Sequence, residues 1–281
     1  MNNIHWFPGH MNKALNEIKE KVKLVDVVIE LLDTRIPYSS FNDEFEKFVA
    51  NKKRLFVFTK ADLADPEITK GWIDKFKNEN KDYLFLDIIH DNVNAVLSKR
   101  IAELAKEKHE KDRSRGMKPQ PVRTMIIGIP NVGKSSLINK LAKRKVAGVE
   151  NRPGFTRGEQ LIKINNDFLL VDTPGVLPMN YENKKKAMHL ALVGSIKEEI
   201  LPTLDMANYL LDFFKERYPA ALKERFNIEE ITENHLILEQ IASKRGLLGP
   251  NGVLLVENAA TLLLKEFKDG KLGRISLERA L

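Results

Sequence analysis

GIPNVGKS, residues Gly128–Ser135, is the stretch on which the fold turns. It follows Arg123–Gly128, which reads as a strand, and opens Lys134–Leu141, whose Leu137, Ile138 and Leu141 share a helical face. Spacing and context together make a phosphate-binding loop of the form GxxxxGK[ST]. Glycines let the backbone curl so that successive N–H groups face a phosphate, and the helix N-terminus adds partial positive charge. Lys134 is expected to reach β- and γ-phosphates and the Ser135 hydroxyl to ligate Mg²⁺, with Asn131, Val132, Gly133 and Ser136 completing the nucleotide contacts. The plain alternative is a glycine-bearing turn between strand and helix.

Downstream, Asp172-Thr173-Pro174-Gly175 closes the apolar segment Phe168–Val171. That segment pairs in a hairpin with Gln160–Ile164 around Asn165-Asn166-Asp167. DxxG is common in isolation, but one hairpin after a phosphate loop it offers Asp172 to Mg²⁺ and the bare Gly175 N–H to a γ-phosphate. Between the two lies Pro153-Gly154-Phe155-Thr156, where Thr156 is the candidate to close on metal and γ-phosphate; otherwise this is an ordinary loop on a Pro-Gly turn.

Upstream stands TKAD, Thr59–Asp62, at the end of the strand Leu55–Phe58. An aspartate carboxylate can accept from guanine N1–H and the 2-amino group together, whereas adenine offers neither. Asp62 is therefore the expected specificity residue, with the Lys60 stem along the ring. Thr59 occupies the place where asparagine is usual. In an ordinary chain this base loop comes after the phosphate loop, and here it comes before. A circular permutation accounts for the order, since a compact domain with adjacent surface termini tolerates rejoining and recutting.

Strands at Val25–Asp33, Leu55–Phe58, Tyr83–Leu86 and Arg123–Gly128 alternate with helices at Met11–Val25, Pro66–Asn80 and Val93–Lys108. That alternation predicts a mostly parallel sheet covered on both faces. Lys108–Pro121 is polar, charged and proline-ended, and is expected to be an exposed linker. From Lys184 onward the pattern is helical, with Ala207, Leu210, Leu211, Phe214 and Tyr218 on one face and a last helix closed by Gly270. The predicted fold is α/β: a P-loop domain over 1–178 with permuted motif order and an N-terminal arm 1–10, then a small all-α domain over 179–281.

At this point the chain resembles the circularly permuted GTPases, and among them the bacterial ribosome biogenesis GTPase A family. The likeness runs along nearly the whole sequence. It includes WFPGHM (Trp6–Met11), DTRIPYSS (Asp33–Ser40), TKAD, GIPNVGKSSLIN, RPGFTRG, DTPG and the tail GKLGRIS (Gly270–Ser276). Departures are Thr59 for asparagine, Thr34 where alanine is usual, and LDI at Leu86–Ile88, which lacks the serine of the second base loop; Asp87 and Ile88 are the base contacts implied there.

Val176 and Leu177 follow DTPG, so no side chain there can position water. The resemblance implies His10 in that role; alternatively Trp6, Phe7 and Pro8 pack an arm and His10 is solvated. Asn131 matches the asparagine of potassium-dependent GTPases, which implies a K⁺ ligand, while Arg152 and Arg157 are the alternative cationic aids. His5, His90, His109, His189 and His235 lack metal-ligand spacing.

Apolar residues at 43% and charged residues at 30% exclude a disordered chain, and the absence of cysteine excludes disulfides, thiolate zinc and cysteine nucleophiles. No signal peptide and no membrane-spanning run is evident, so a cytoplasmic monomer without stable membrane association is expected. Net charge is +7, which suits a polyanionic partner, although solvated lysines would give the same balance. Lys184, Lys185, Lys186, Lys244, Arg245, Lys271 and Arg274 are the candidate RNA contacts. The resemblance implies GTP and GDP as ligands and the maturing large (50S) ribosomal subunit, rRNA and ribosomal proteins together, as partner. It also implies release on hydrolysis and a slow intrinsic rate stimulated by that subunit. A GTP switch for a protein or membrane partner is the alternative. A small-molecule kinase is disfavoured, because no acceptor site is evident.

Overall fold

A computed structural model describes residues 9–142, 161–164, 168–171, 176, 184–196 and 201–280, with backbone only at 9–11 and 161–163. Strands β1 (Val27–Asp33), β2 (Lys53–Thr59), β3 (Tyr83–Leu86), β4 (Val122–Gly128), β5 (Leu161–Lys163) and β6 (Phe168–Val171) form one sheet in the order β3-β2-β1-β4-β6-β5. Every neighbouring pair is parallel except β5 with β6. β1 is buried along its whole length, as an interior parallel strand covered on both faces must be. Helices α1 (Gly9–Val22), α2 (Pro37–Ser40), α3 (Asp43–Val49), α4 (Pro66–Asn78), α5 (Val93–Leu104), α6 (Lys106–Ser114) and α7 (Lys134–Ala142) lie between the strands and before them.

The strand order explains where a ligand belongs. From β1 the chain steps outward to β2 and β3 on one side; after β4 it places β5 at the far edge and then β6 between β5 and β4 on the other. The β1/β4 boundary is thus the point where connections diverge, and crevices open there at the carboxyl ends of the strands. Register brings those ends level: Asp33 pairs with Thr59, Thr59 with Leu86, and Leu31 with Gly128. Behind β2, Phe58 stacks on Phe85 at 4.3 Å and meets the edge of Phe76 at 4.9 Å, which stiffens the strand that carries TKAD.

The expected linker Lys108–Pro121 is corrected in its first half, where α6 is helical through Ser114. Its KEKHEKDRS sequence is made of good helix formers, and it is tethered by Lys108 to Asp26 at 2.7 Å and Glu107 to Lys53 at 3.1 Å. Only the stretch after the Gly116 turn is extended and exposed.

Glu30 interrupts the apolar run of β1 and is fully buried against Arg54, which also pairs with Glu46 and lies 4.5 Å over the Phe56 ring. Burial outweighs Arg54 and pushes its pKa up from 4.5 to about 7. A raised folded-state pKa gives stability that is complete below the unfolded value and is lost as pH rises through 7. Wild type should therefore lose up to ~3 kcal/mol relative to Glu30→Gln between pH 4.5 and pH 8. Urea midpoints of the two proteins across that range check this, and parallel curves would refute it.

The remaining helices, α8 (Lys184–Leu192), α9 (Thr203–Arg217), α10 (Pro219–Phe226), α11 (Asn234–Lys244) and α12 (Val256–Lys268), pack mainly with one another. Leu210, Leu211 and Phe214 of α9 are buried with Leu263 and Phe267 of α12. After Gly270, at φ 72°, the chain turns back onto the α/β layer. There Ile275 N–H donates to Leu63 O and Leu277 N–H to Arg35 O, each at 2.9 Å. His189 is completely buried at this junction. Its Nδ1 contacts Glu278 Oε1 at 2.7 Å, its Nε2 meets the Tyr209 hydroxyl at 2.9 Å, and Ser39 donates to the same glutamate.

Candidate nucleotide site

The loop after β4 is shaped by backbone conformations that few residues tolerate. Gly128 has φ 153°, and a Cβ there would lie 2.9 Å from Leu31 O; Gly133 has φ 109° and would press on Ile88 Cδ1 at 3.2 Å. Asn131 is left-handed at φ 57°, a region that asparagine enters more readily than most residues. Lys134 is buried, its Nζ donating to Gly128 O at 3.2 Å and Ile129 O at 2.8 Å, so the ammonium is fixed across the loop. Ser135 and Ser136 are exposed in the first turn of α7, and the Ser135 hydroxyl makes no side-chain hydrogen bond among the described residues. An open hydroxyl at a helix N-terminus, in the loop that carries Lys134, fits a hard cation bridging phosphate oxygens.

The base loop sits against this loop. Thr59 Oγ1 lies 2.6 Å from Val132 O and 3.2 Å from Leu32 O, so its hydroxyl donates across to the phosphate loop. Thr34 Oγ1 in turn donates to Thr59 O at 2.6 Å. The threonines that depart from the family pattern thus form a relay from the end of β1 through β2 to the phosphate loop.

Lys60 is left-handed at φ 57° and reaches Asp33 Oδ2 at 3.0 Å. Asp62 follows, half-buried, in a single turn of 3₁₀ helix over Ala61–Leu63. Asp33 also takes a two-pronged bond from Arg35, Nε at 3.0 Å and a terminal nitrogen at 2.8 Å. Burial alone would raise the Asp33 pKa, but Arg35 and Lys60 outweigh it and hold the carboxyl well below the usual range. Sequence reasoning quoted DTRIP without giving Asp33 and Arg35 a task. An acid and a base two residues apart at the end of an apolar strand were the available signal.

The second base loop is built differently from the expectation. The Asp87 carboxylate is turned into its own loop, accepting from Ile89 N–H at 2.8 Å and His90 N–H at 3.1 Å and pairing with the His90 ring. Its side chain is therefore a turn former here, whereas Ile88 stands beside Gly133. Asn131 Nδ2 donates to Gly194 O at 2.6 Å, joining the phosphate loop to the segment after α8.

Of the expected basic contacts, Lys184 and Lys185 are exposed. Lys186 is buried, donating to Phe41 O at 3.2 Å, and Arg274 is bonded to Ala61 O and Ala64 O. Lys244 pairs with Glu229 at 3.1 Å, Arg245 donates to Arg225 O at 2.8 Å, and Lys271 lies 3.8 Å from Asp269. His10 falls in the first turn of α1, but its side chain is outside the described residues. Arg152, Thr156, Arg157, Asn165–Asp167, Asp172 and Gly175 lie outside them as well. Among the described residues no cluster of histidine and carboxylate ligands could hold a metal alone, and no helix is long and apolar enough to cross a membrane.

A strand–GxxxxGK[ST]–helix loop facing a TKAD loop across the switch point of a parallel sheet defines a P-loop GTPase whose motifs run in permuted order. The family model described as 50S ribosome-binding GTPase matches residues 123–244. Ribosome biogenesis GTPase A of Bacillus cereus is 41% identical over 276 residues, 98% of this chain and 93% of that protein. That of Thermotoga maritima is 32% identical, with 98% and 94% covered. The solved GDP-bound structure of TM YlqF superposes with a TM-score of 0.71 at 28% identity, covering 94% of this chain and 98% of that one. The chain belongs to the ribosome biogenesis GTPase A family. It is a GTPase, binding GTP and GDP, and Mg²⁺ is the cation that GTPases generally use.

Proposed function

We propose that this protein binds the maturing large ribosomal subunit in its GTP form, hydrolyses GTP slowly until the subunit accelerates it, and then leaves. The observation that supports the nucleotide part of this reading is the Thr59–Val132 bond, which joins the loop carrying Asp62 to the phosphate loop. Its relatives in Bacillus cereus and Thermotoga maritima are named as ribosome biogenesis GTPases, which supports the partner class. In this reading residues 1–178 are the nucleotide domain and 179–281 the ribosome-facing helical domain. Lys184, Lys185, Lys244, Arg245 and Lys271 supply phosphate contacts to rRNA, and the protein works as a cytoplasmic monomer.

Asp62 accepts from guanine N1–H and the 2-amino group, while the Lys60 stem covers the ring. Lys134 and the loop N–H groups neutralise the β- and γ-phosphates, and the Gly175 N–H meets the γ-phosphate. Ser135, Thr156 and Asp172 would hold Mg²⁺, which supplies positive charge across the transferring phosphoryl oxygens. Asn131, whose Nδ2 is taken by Gly194 O, keeps Oδ1 to offer to K⁺. His10 orients the attacking water once the N-terminal arm is seated by the subunit.

The test is GTP turnover with and without purified large subunits, in KCl and in NaCl, for wild type and His10→Ala. The expected pattern is stimulation by subunits, faster turnover in KCl, and loss of about 100-fold of the stimulated rate in His10→Ala. No stimulation by subunits would leave a switch for some other partner. Equal rates in the two salts would remove the potassium role.

A further inference from the structure

In the tail GKLGRIS, Lys271, Gly273 and Arg274 are exposed, while Leu272, Ile275 and Ser276 are buried. The tail is folded along the base-reading loop. A terminal guanidinium nitrogen of Arg274 donates to Ala61 O at 2.9 Å and its Nε to Ala64 O at 2.8 Å. Between them Ile275 N–H donates to Leu63 O at 2.9 Å, and Asp65 N–H donates to Ser276 Oγ at 3.0 Å. The Tyr218 hydroxyl, at the α9–α10 junction, donates to Asp65 Oδ2 at 2.9 Å. Gly270 approaches so closely that a Cβ there would lie 2.5 Å from Leu63 Cδ2. The backbone on both sides of Asp62 is therefore held by the other end of the chain.

Anchoring the tail does not by itself need Arg274. Leu272, Ile275 and Leu277 are buried and supply the apolar area that docks it. What the guanidinium adds is a two-point brace on carbonyls flanking the residue that faces the base. Two-pronged recognition by a carboxylate depends on its orientation, and a loop braced beforehand loses less freedom on binding.

We propose that Arg274 is a positioning residue for guanine selection: the C-terminal tail holds the loop in the geometry with which Asp62 meets the base. By linkage, a nucleotide that engages Asp62 tightens the tail, and the helical domain from which the tail extends senses the base as well as the phosphates. This rests on Asp62 reading guanine.

The experiment measures dissociation constants of the full-length protein for GDP and IDP, whose hypoxanthine lacks the 2-amino group. Arg274→Ala should weaken GDP about tenfold and IDP far less, so that their ratio collapses. Arg274→Lys, which can reach one carbonyl but not both, should fall between. Amide exchange at Ile275 in the unaltered protein should slow on adding GDP and not on adding ADP, a measurement that stands even if Arg274→Ala fails to fold. An unchanged GDP to IDP ratio in folded Arg274→Ala, or exchange at Ile275 indifferent to GDP, overturns the proposal. Asp62→Asn separates the two levels. If it too leaves base preference unaltered, the guanine reading itself is wrong; if it alters preference while Arg274→Ala does not, only the role of the tail is wrong.

Discussion

Asp62→Asn should lower GTP affinity by about a thousandfold and raise affinity for xanthosine triphosphate. In the proposed reading, the carboxylate of Asp62 accepts from two donors on the guanine edge. An amide in its place presents one acceptor and one donor, so the 2-amino group meets an N–H and both are left unsatisfied. Xanthine carries a carbonyl at that position, which the new N–H can satisfy. Competition of GTP, XTP and ATP for a fluorescent nucleotide measures the switch, and a variant with unchanged preference would show that the loop at Thr59–Asp62 does not read the base.

Arg35→Ala should cost about 3–5 kcal/mol of stability, far more than an average surface substitution. Asp33 and Arg35 are both nearly inaccessible, and among the described residues Asp33 without Arg35 keeps only the half-buried Lys60 as a charge partner. The Arg35 guanidinium also lies 5.7 Å over the Phe267 ring of α12, so its loss loosens the seam with the helical layer as well, although the backbone bond from Leu277 N–H to the residue 35 carbonyl remains. Removing both charges in Asp33→Asn/Arg35→Met should recover much of that loss, because no uncompensated ion remains. Urea unfolding of the single and double variants decides. A double variant as unstable as Arg35→Ala would mean that packing on Phe267, rather than charge, dominates.

Much of this was legible before any coordinates. Local rules sufficed wherever one segment carried both the signal and its partner: the phosphate loop between strand and helix, the buried run of β1, the hairpin of β5 with β6. The permuted order was readable because TKAD and GIPNVGKS are each recognisable alone, and the sheet order then shows how one domain can use them in either sequence.

What stayed hidden depends on residues far apart in the chain. Thr59 looked like a defect in a motif until its hydroxyl was seen on Val132 O, with Thr34 behind it. The carbonyl partners of Lys186 and Arg274 could not be read from the sequence, because charge counting has no knowledge of which carbonyls await them. The turn at Asp87 was equally hidden, since its carboxylate accepts from the N–H groups of Ile89 and His90 in its own loop. The helical α6 was missed because a wholly charged stretch shows no apolar periodicity, and its tethers to Asp26 and Lys53 lie outside the window.

The seating of residues 274–277 on Ala61–Asp65 and Arg35 also has a bearing on biosynthesis. The first three strands are contiguous in sequence and can assemble as soon as they are made, while Arg274, which braces the loop after β2, lies 210 residues beyond Ala64. Such long-range closure is slow and comes late in folding. A nascent chain therefore carries the phosphate loop well before it carries the residues that brace the loop at Ala61–Asp65.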